Sequence, residues 1–210
     1  MDKIICIENI KKKFKSKNIY IITLSDGRNI EIMDEVIYKF RISAGEILSD
    51  VLDEAISETE YLFAKEKMLQ YIRNKNRTFF EINEYLKKQG FNEDTIKKVI
   101  EFVKKFELAD DVAYARKYIK ESIRKGNGVI KIRRELKRKG IGKDVIEQYI
   151  QKYVTSENTI ESAMNIARKK IRNEKINEKT YGKVGRYLAM KGFEREIIYK
   201  VLDTLIANNL

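Results

Sequence analysis

Apolar positions in the first 33 residues alternate with polar ones, whereas from about residue 60 onward they recur every three or four. The first pattern predicts strands and the second amphipathic helices. β-Branched runs at residues 4–7, 19–24 and 29–33 predict a small antiparallel sheet of about three strands. Asp26-Gly27 supplies the hairpin turn between the last two, and the lysine-rich residues 11–17 form an exposed connection. Ser43-Ala44-Gly45-Glu46 has the form of a capping box and predicts a helix opening there and running through ILSDVLDEAI.

The helical pattern occurs three times. EINEYLKKQGFNEDTIKKVIEFV from Glu81, KIRRELKRKGIGKDVIEQYIQKY from Lys131 and KVGRYLAMKGFEREIIYKVLDTL from Lys183 each turn on a glycine, at Gly90, Gly140 and Gly192. In register, Ile82, Ile132 and Val184 match, then Leu86, Leu136 and Leu188, then Ile96, Ile146 and Ile198. Each copy reads as two short helices joined at a glycine C-cap. A further helix precedes each pair, over residues 61–74, 110–125 and 157–173, and the second helices open at Thr78, Gly128 and Thr180. The third turn, at residues 173–179, is longer and lacks the glycine pair Gly126 and Gly128. The expectation is a mainly α protein. A β-hairpin or sheet plus helix module at 1–59 precedes three tandem three-helix, helix-turn-helix-like repeats at 60–108, 109–155 and 156–210. Such repeats contact chiefly their neighbours, which predicts an elongated array presenting a surface rather than a catalytic pocket.

Composition then removes whole classes of chemistry. No histidine is present among the 210 residues, which excludes a Cys–His dyad, a Ser–His–Asp triad and His-ligated zinc. Cys6 is single, so no internal disulfide forms, and it is expected as a small buried hydrophobe in a strand. Asp110-Asp111 reads as a helix cap, and the other carboxylates form no compact constellation with lysine of the kind a Mg²⁺ nuclease needs. No catalytic residue, metal or cofactor is expected. With no apolar run near 18 residues and no leader at Met1, a cytoplasmic protein without a membrane span is expected.

The net charge of +12 is uneven: −3 over residues 1–60, +4 over 61–108, +7 over 109–156 and +4 over 157–210. Its peak has a face. Successive helical residues turn by about 100°, so with Ile132 at zero Leu136 lies near 40° on the buried side, and Arg133, Lys137, Arg134, Arg138 and Lys131 span about 100° to 260° opposite. All five are basic. The same positions in the first repeat hold Asn83, Lys87, Glu84, Lys88 and Glu81, and in the third Gly185, Ala189, Arg186, Met190 and Lys183. A solvated face would carry mixed charges, because clustered like charges disfavour a helix. These five residues, with Arg124 and Lys125 at the preceding turn, are therefore the candidate partner- and DNA-binding set, and exposed backbone N–H groups at Gly126 and Gly128 are expected to add to it. Tyr114, Tyr118 and Tyr149 fall at or near apolar positions and are expected in the core, with Ala189 and Met190 packing on a neighbouring unit.

The middle repeat, LADDVAYARKYIKESIRKGNGVIKIRRELKRKGI from Leu108 to Ile141, resembles the signature of the RecX family: an Asp-Asp helix start, an aromatic helix, an Arg-Lys-Gly-x-Gly turn, then I-x-x-E-L-x-x-K-G-I. NRTFFEINEYLKKQGF is similar to the family's first repeat, and the N-terminal segment to the extension of its longer members. The resemblance implies a non-enzymatic regulator of DNA repair and the SOS response. Such a protein binds the RecA–DNA filament, inhibits filament growth, ATP hydrolysis and strand exchange, and binds DNA weakly and non-specifically as a monomer. The helix-turn-helix layout also leaves open a DNA-binding transcriptional regulator.

Overall fold

The computed structural model describes residues 4–171 and 177–207. The chain forms two compact units, one of residues 1–75 and 82–108 and one of residues 76–81 and 109–210. In the first unit, β1 (Ile4–Lys12), β2 (Ile19–Leu24), β3 (Asn29–Met33) and β4 (Gly45–Leu48) make an antiparallel sheet in the order β3-β2-β1-β4. The helix α1 (Asp34–Phe40) lies between β3 and β4 in sequence, and α2 (Ser49–Ile72), α3 (Phe79–Lys88) and α4 (Glu93–Lys105) follow. Ile7, Ile22, Leu24 and Ile32 project from one face of the sheet into a core shared with Val36 of α1 and Leu52 and Ala55 of α2. The C-terminal part of α2 packs on α4, and Tyr71 stacks on Tyr85 of α3 with ring centroids 4.0 Å apart.

Four expectations for this unit change. Ser43-Ala44-Gly45-Glu46 does not cap a helix: Gly45 has φ +119° and begins β4, where Gly45–Leu48 pairs with Ile7–Ile4 of β1. Satisfying the backbone edge of β1 outweighs the local capping signal. The sheet therefore has four strands, and α1 is additional, marked in sequence by Asp34 and Glu35 in its first turn. The helix expected after the box and the one expected at 61–74 are a single 24-residue helix, α2, which crosses the boundary placed at residues 59–60. Cys6 lies in β1 as expected but is exposed, because Ile7 takes the core-facing side of the pleat.

The second unit holds α5 (Asp111–Arg124), α6 (Val129–Arg138), α7 (Lys143–Tyr153), α8 (Ser156–Ile171), α9 (Glu178–Lys191) and α10 (Arg195–Ala207). Ala115, Ile119, Ile132, Leu136, Ile146 and Ile150 form the core of the middle repeat. Ala163, Ala167, Val184, Leu188, Val201 and Leu205 form that of the third. Tyr114, Tyr118 and Tyr149 are half-buried against the middle core, as their spacing implies. Residues 173–176 of the long third turn lie outside the described residues. Beyond it, α9 opens earlier than expected: Asn177 is its N-cap and accepts from the amide of Thr180, which is buried inside the first turn.

Candidate partner-binding face

Burying Val129, Ile132 and Leu136 of α6 fixes which of its side chains reach solvent. Arg134 and Arg138 are largely exposed, with 66% and 74% of their side-chain surface free, and Lys137 is exposed beside them. Arg124 and Lys125 are exposed at the end of α5. Glu135 tempers this face, since its carboxylate takes Arg138 at 2.6 Å and lies 3.7 Å from Arg134.

The remaining two candidates are engaged inside the protein. Lys131 is half-buried and donates to Oδ1 of Asn127 at 3.1 Å. Arg133 forks onto Glu147 of α7 through Nε and Nη2, at 2.9 to 3.2 Å, and reaches Glu194 ahead of α10 through Nη1 at 3.1 Å. The hydrogen bonds that Arg133 donates to Glu147 raise the guanidinium pKa, against an opposing effect of burial, and Glu194 adds to the rise. Arg133 is thus a tie between the middle and third repeats. A helical wheel treats it as solvent-facing because it cannot show the acidic residues of α7 and the α9–α10 turn.

The turn before α6 is closed rather than open to an anion. Gly126 and Gly128 are buried, and a Cβ at Gly128 would stand 2.1 Å from the carbonyl oxygen of Gly192. The amide of Gly128 donates to Lys191 O at 2.9 Å and that of Ile130 to Gly192 O at 3.0 Å. The N-terminus of α6 therefore plugs onto the C-terminal glycine turn of α9, which satisfies amides and carbonyls that helix ends otherwise leave without partners. The expected contribution of free N–H groups at Gly126 and Gly128 does not hold.

The same joint occurs one repeat earlier. Thr78 caps α3 through a capping box with Glu81, and its hydroxyl donates to Lys139 O at 2.8 Å, next to Gly140. A Cβ on Gly140 would meet the side chain of Phe80 at 2.3 Å. Glu81 pairs with Lys139 and with Arg77, and Asp111 accepts from the amide of Phe79 at 3.0 Å, while Asp110 caps α5 by accepting from Val112 and Ala113. Burial opposes the charge on Glu81, but the hydrogen bond from Lys139 and its neighbours outweigh this, and its pKa is lowered. Burial raises that of Asp111, with Asp110 and Glu81 adding to the rise against the Phe79 amide. The third repeat departs from expectation at Ala189 and Met190, which are exposed, Met190 by 64%.

Tandem three-helix units with glycine turns, following a small β module in sequence, define a helical-repeat protein whose middle unit carries exposed cations at Arg124, Lys125, Arg134, Lys137 and Arg138. Residues 64–102, 110–150 and 157–202 match the models of the first, second and third three-helix domains of RecX. The chain belongs to the RecX family. The regulatory protein RecX of Clostridium acetobutylicum is 35% identical over 209 residues, 97% of this chain and 96% of that one. The regulatory protein RecX of Clostridium perfringens strain 13 is 30% identical, covering 99% of this chain and 98% of that one. A crystal structure of regulatory protein RecX superposes with a TM-score of 0.67 at 26% identity, over 95% of this chain and 99% of that one. Over 70% of this chain and 97% of that one, the fold is also similar to a crystal structure of RecX from Lactobacillus salivarius, with a TM-score of 0.62 at 23% identity. No described helix is long and apolar enough to cross a membrane.

Proposed function

We propose that this protein is a non-enzymatic regulator that binds the RecA–DNA filament and inhibits filament growth, ATP hydrolysis and strand exchange, restraining recombination during DNA repair and the SOS response. It acts in the cytoplasm as a monomer, needs no cofactor, and binds DNA alone only weakly. The observation that carries the reading is the exposure of Arg124, Lys125, Arg134, Lys137 and Arg138 in the middle repeat, in a chain whose relatives are named regulatory proteins. Lys131 and Arg133, engaged with Asn127, Glu147 and Glu194, are left out of this set. The reading as a helix-turn-helix transcriptional regulator is disfavoured: such proteins usually place one recognition helix and dimerise, whereas here three unlike three-helix units lie in tandem.

The test is DNA-dependent ATP hydrolysis by the cognate RecA on single-stranded DNA, titrated with this protein. Inhibition at or below stoichiometric amounts is expected. An unchanged rate across the titration overturns the reading, and Mg²⁺-dependent cleavage of the DNA by the protein alone revives the enzyme class.

A further inference from the structure

Phe14 is 86% exposed, the most exposed large apolar side chain among the described residues. It stands in the connection between β1 and β2, within the sequence Lys11-Lys12-Lys13-Phe14-Lys15-Ser16-Lys17. The tip is built, not loose. Lys13 N donates to Ile19 O at 2.9 Å, Ser16 N donates to Lys13 O at 3.1 Å, and Ile19 N donates to Ser16 Oγ at 3.2 Å. Lys15 takes a left-handed backbone, φ +61°, which a side-chain-bearing residue adopts uncommonly. Lys13 is paired with Glu31 at 2.6 Å and the Lys15 ammonium lies 5.4 Å from the Phe14 ring centroid, while Lys11, Lys12 and Lys17 are exposed. No acidic residue occurs between Glu8 and Asp26.

We infer that this hairpin tip is a binding site for single-stranded nucleic acid, with an unpaired base stacking on Phe14 and the surrounding lysines holding the phosphates. An ordered ring in water inside a cationic cluster is the pairing that sequence-tolerant single-strand binders use, since every base offers a π-face and every nucleotide a charge. An anionic membrane fits the charges but not the apolar part. One ring at a hairpin tip is little area to bury, and the neighbouring Ile10 of β1 and Ile19 of β2 are half-buried. The site lies in the N-terminal module, uses none of the middle-repeat residues, and needs no recombinase.

The chain has no tryptophan, so Phe14→Trp places a single reporter at the tip. Titration of the full-length variant with a twenty-nucleotide oligothymidylate is expected to quench its emission by base stacking, with the midpoint shifting upward as salt is added. Parallel arms use the matching duplex and vesicles of phosphatidylcholine with phosphatidylserine. In anisotropy with the parent protein's labelled oligonucleotide, Phe14→Ala and Phe14→Leu should each weaken binding about tenfold. Phe14→Tyr should retain it. A response to vesicles alone, a response to duplex alone, or equal binding by Phe14→Leu and the parent overturns the inference. Because RecA is absent from every arm, the result is separable from the ATP-hydrolysis test of the middle-repeat face.

Discussion

Two glycines in the second unit have the same role and different surroundings. Gly128 and Gly142 are both N-caps with negative φ, so neither needs glycine for its backbone angle. Space separates them: nothing lies within 4 Å of a Cβ at Gly142, whereas one at Gly128 collides with the backbone of Gly192. Gly128→Ala should therefore lower stability by about 1–3 kcal/mol, the range of overpacking that forces backbone to move, and Gly142→Ala by less. Thermal melts of the two variants give the comparison. Glu81 offers a second test at this scale. Its pKa is lower folded than unfolded, so its contribution is present above the unfolded carboxylate value, near 4.3, and fades as pH falls through the folded one. Asp111, whose pKa is raised, works in the opposite sense, favouring the fold at low pH and losing that contribution as pH rises. Acidification from neutral pH should cost the parent more stability than it costs Glu81→Gln, as read from melting temperature against pH.

Helix α6 carries two kinds of arginine, and they should separate in experiment. Arg134→Gln with Arg138→Gln removes exposed charge and should leave the melting temperature nearly unchanged, surface changes usually costing within about 0.5 kcal/mol, while weakening binding to the filament and flattening its salt dependence. Arg133→Ala should do the reverse in order of cause: it unties α6 from α7 and from the start of α10, lowers the melting temperature, and leaves the exposed face chemically intact. Arg133→Lys should not restore stability, because an ammonium cannot fork onto Glu147 while reaching Glu194. Local periodicity alone predicts this helix, its buried stripe and the exposure of Arg134, Lys137 and Arg138. The same periodicity leaves Arg133 and the amides around Gly128 on the open surface. Their partners, Glu147, Glu194, Lys191 and Gly192, lie between 14 and 63 positions away in sequence, and only packing brings them there. The misread capping box at Ser43 has the same origin, since β1 lies some 40 residues upstream and competes for that segment.

At the level of the molecule, the family resemblance and the three-fold repetition were legible because both are written in short-range spacing. The join between the β module and the first repeat was not. A helix that buries Leu52 and Ala55 under the sheet and Ala64 and Met68 further along reads as two helices when its halves face different neighbours, and its weak overall amphipathicity follows. Native-state hydrogen exchange should therefore find residues 55–65 protected as one block, with no faster-exchanging break at residues 59–60.

The end-to-turn joints give the repeats a polarity that bears on how such a chain can have grown. The heads of α3 and α6 fit the glycine turn of the unit that follows them, Gly140 and Gly192, both with left-handed φ and both preceded by a lysine whose carbonyl accepts a hydrogen bond. Gly90 has open space where those two have a neighbour, and α9 opens on Asn177 with Thr180 buried behind it, a head of another shape. Tandem duplication of the middle unit would create a new joint between matching halves. A copy of the third unit placed ahead of the second would present the wrong head to Gly140.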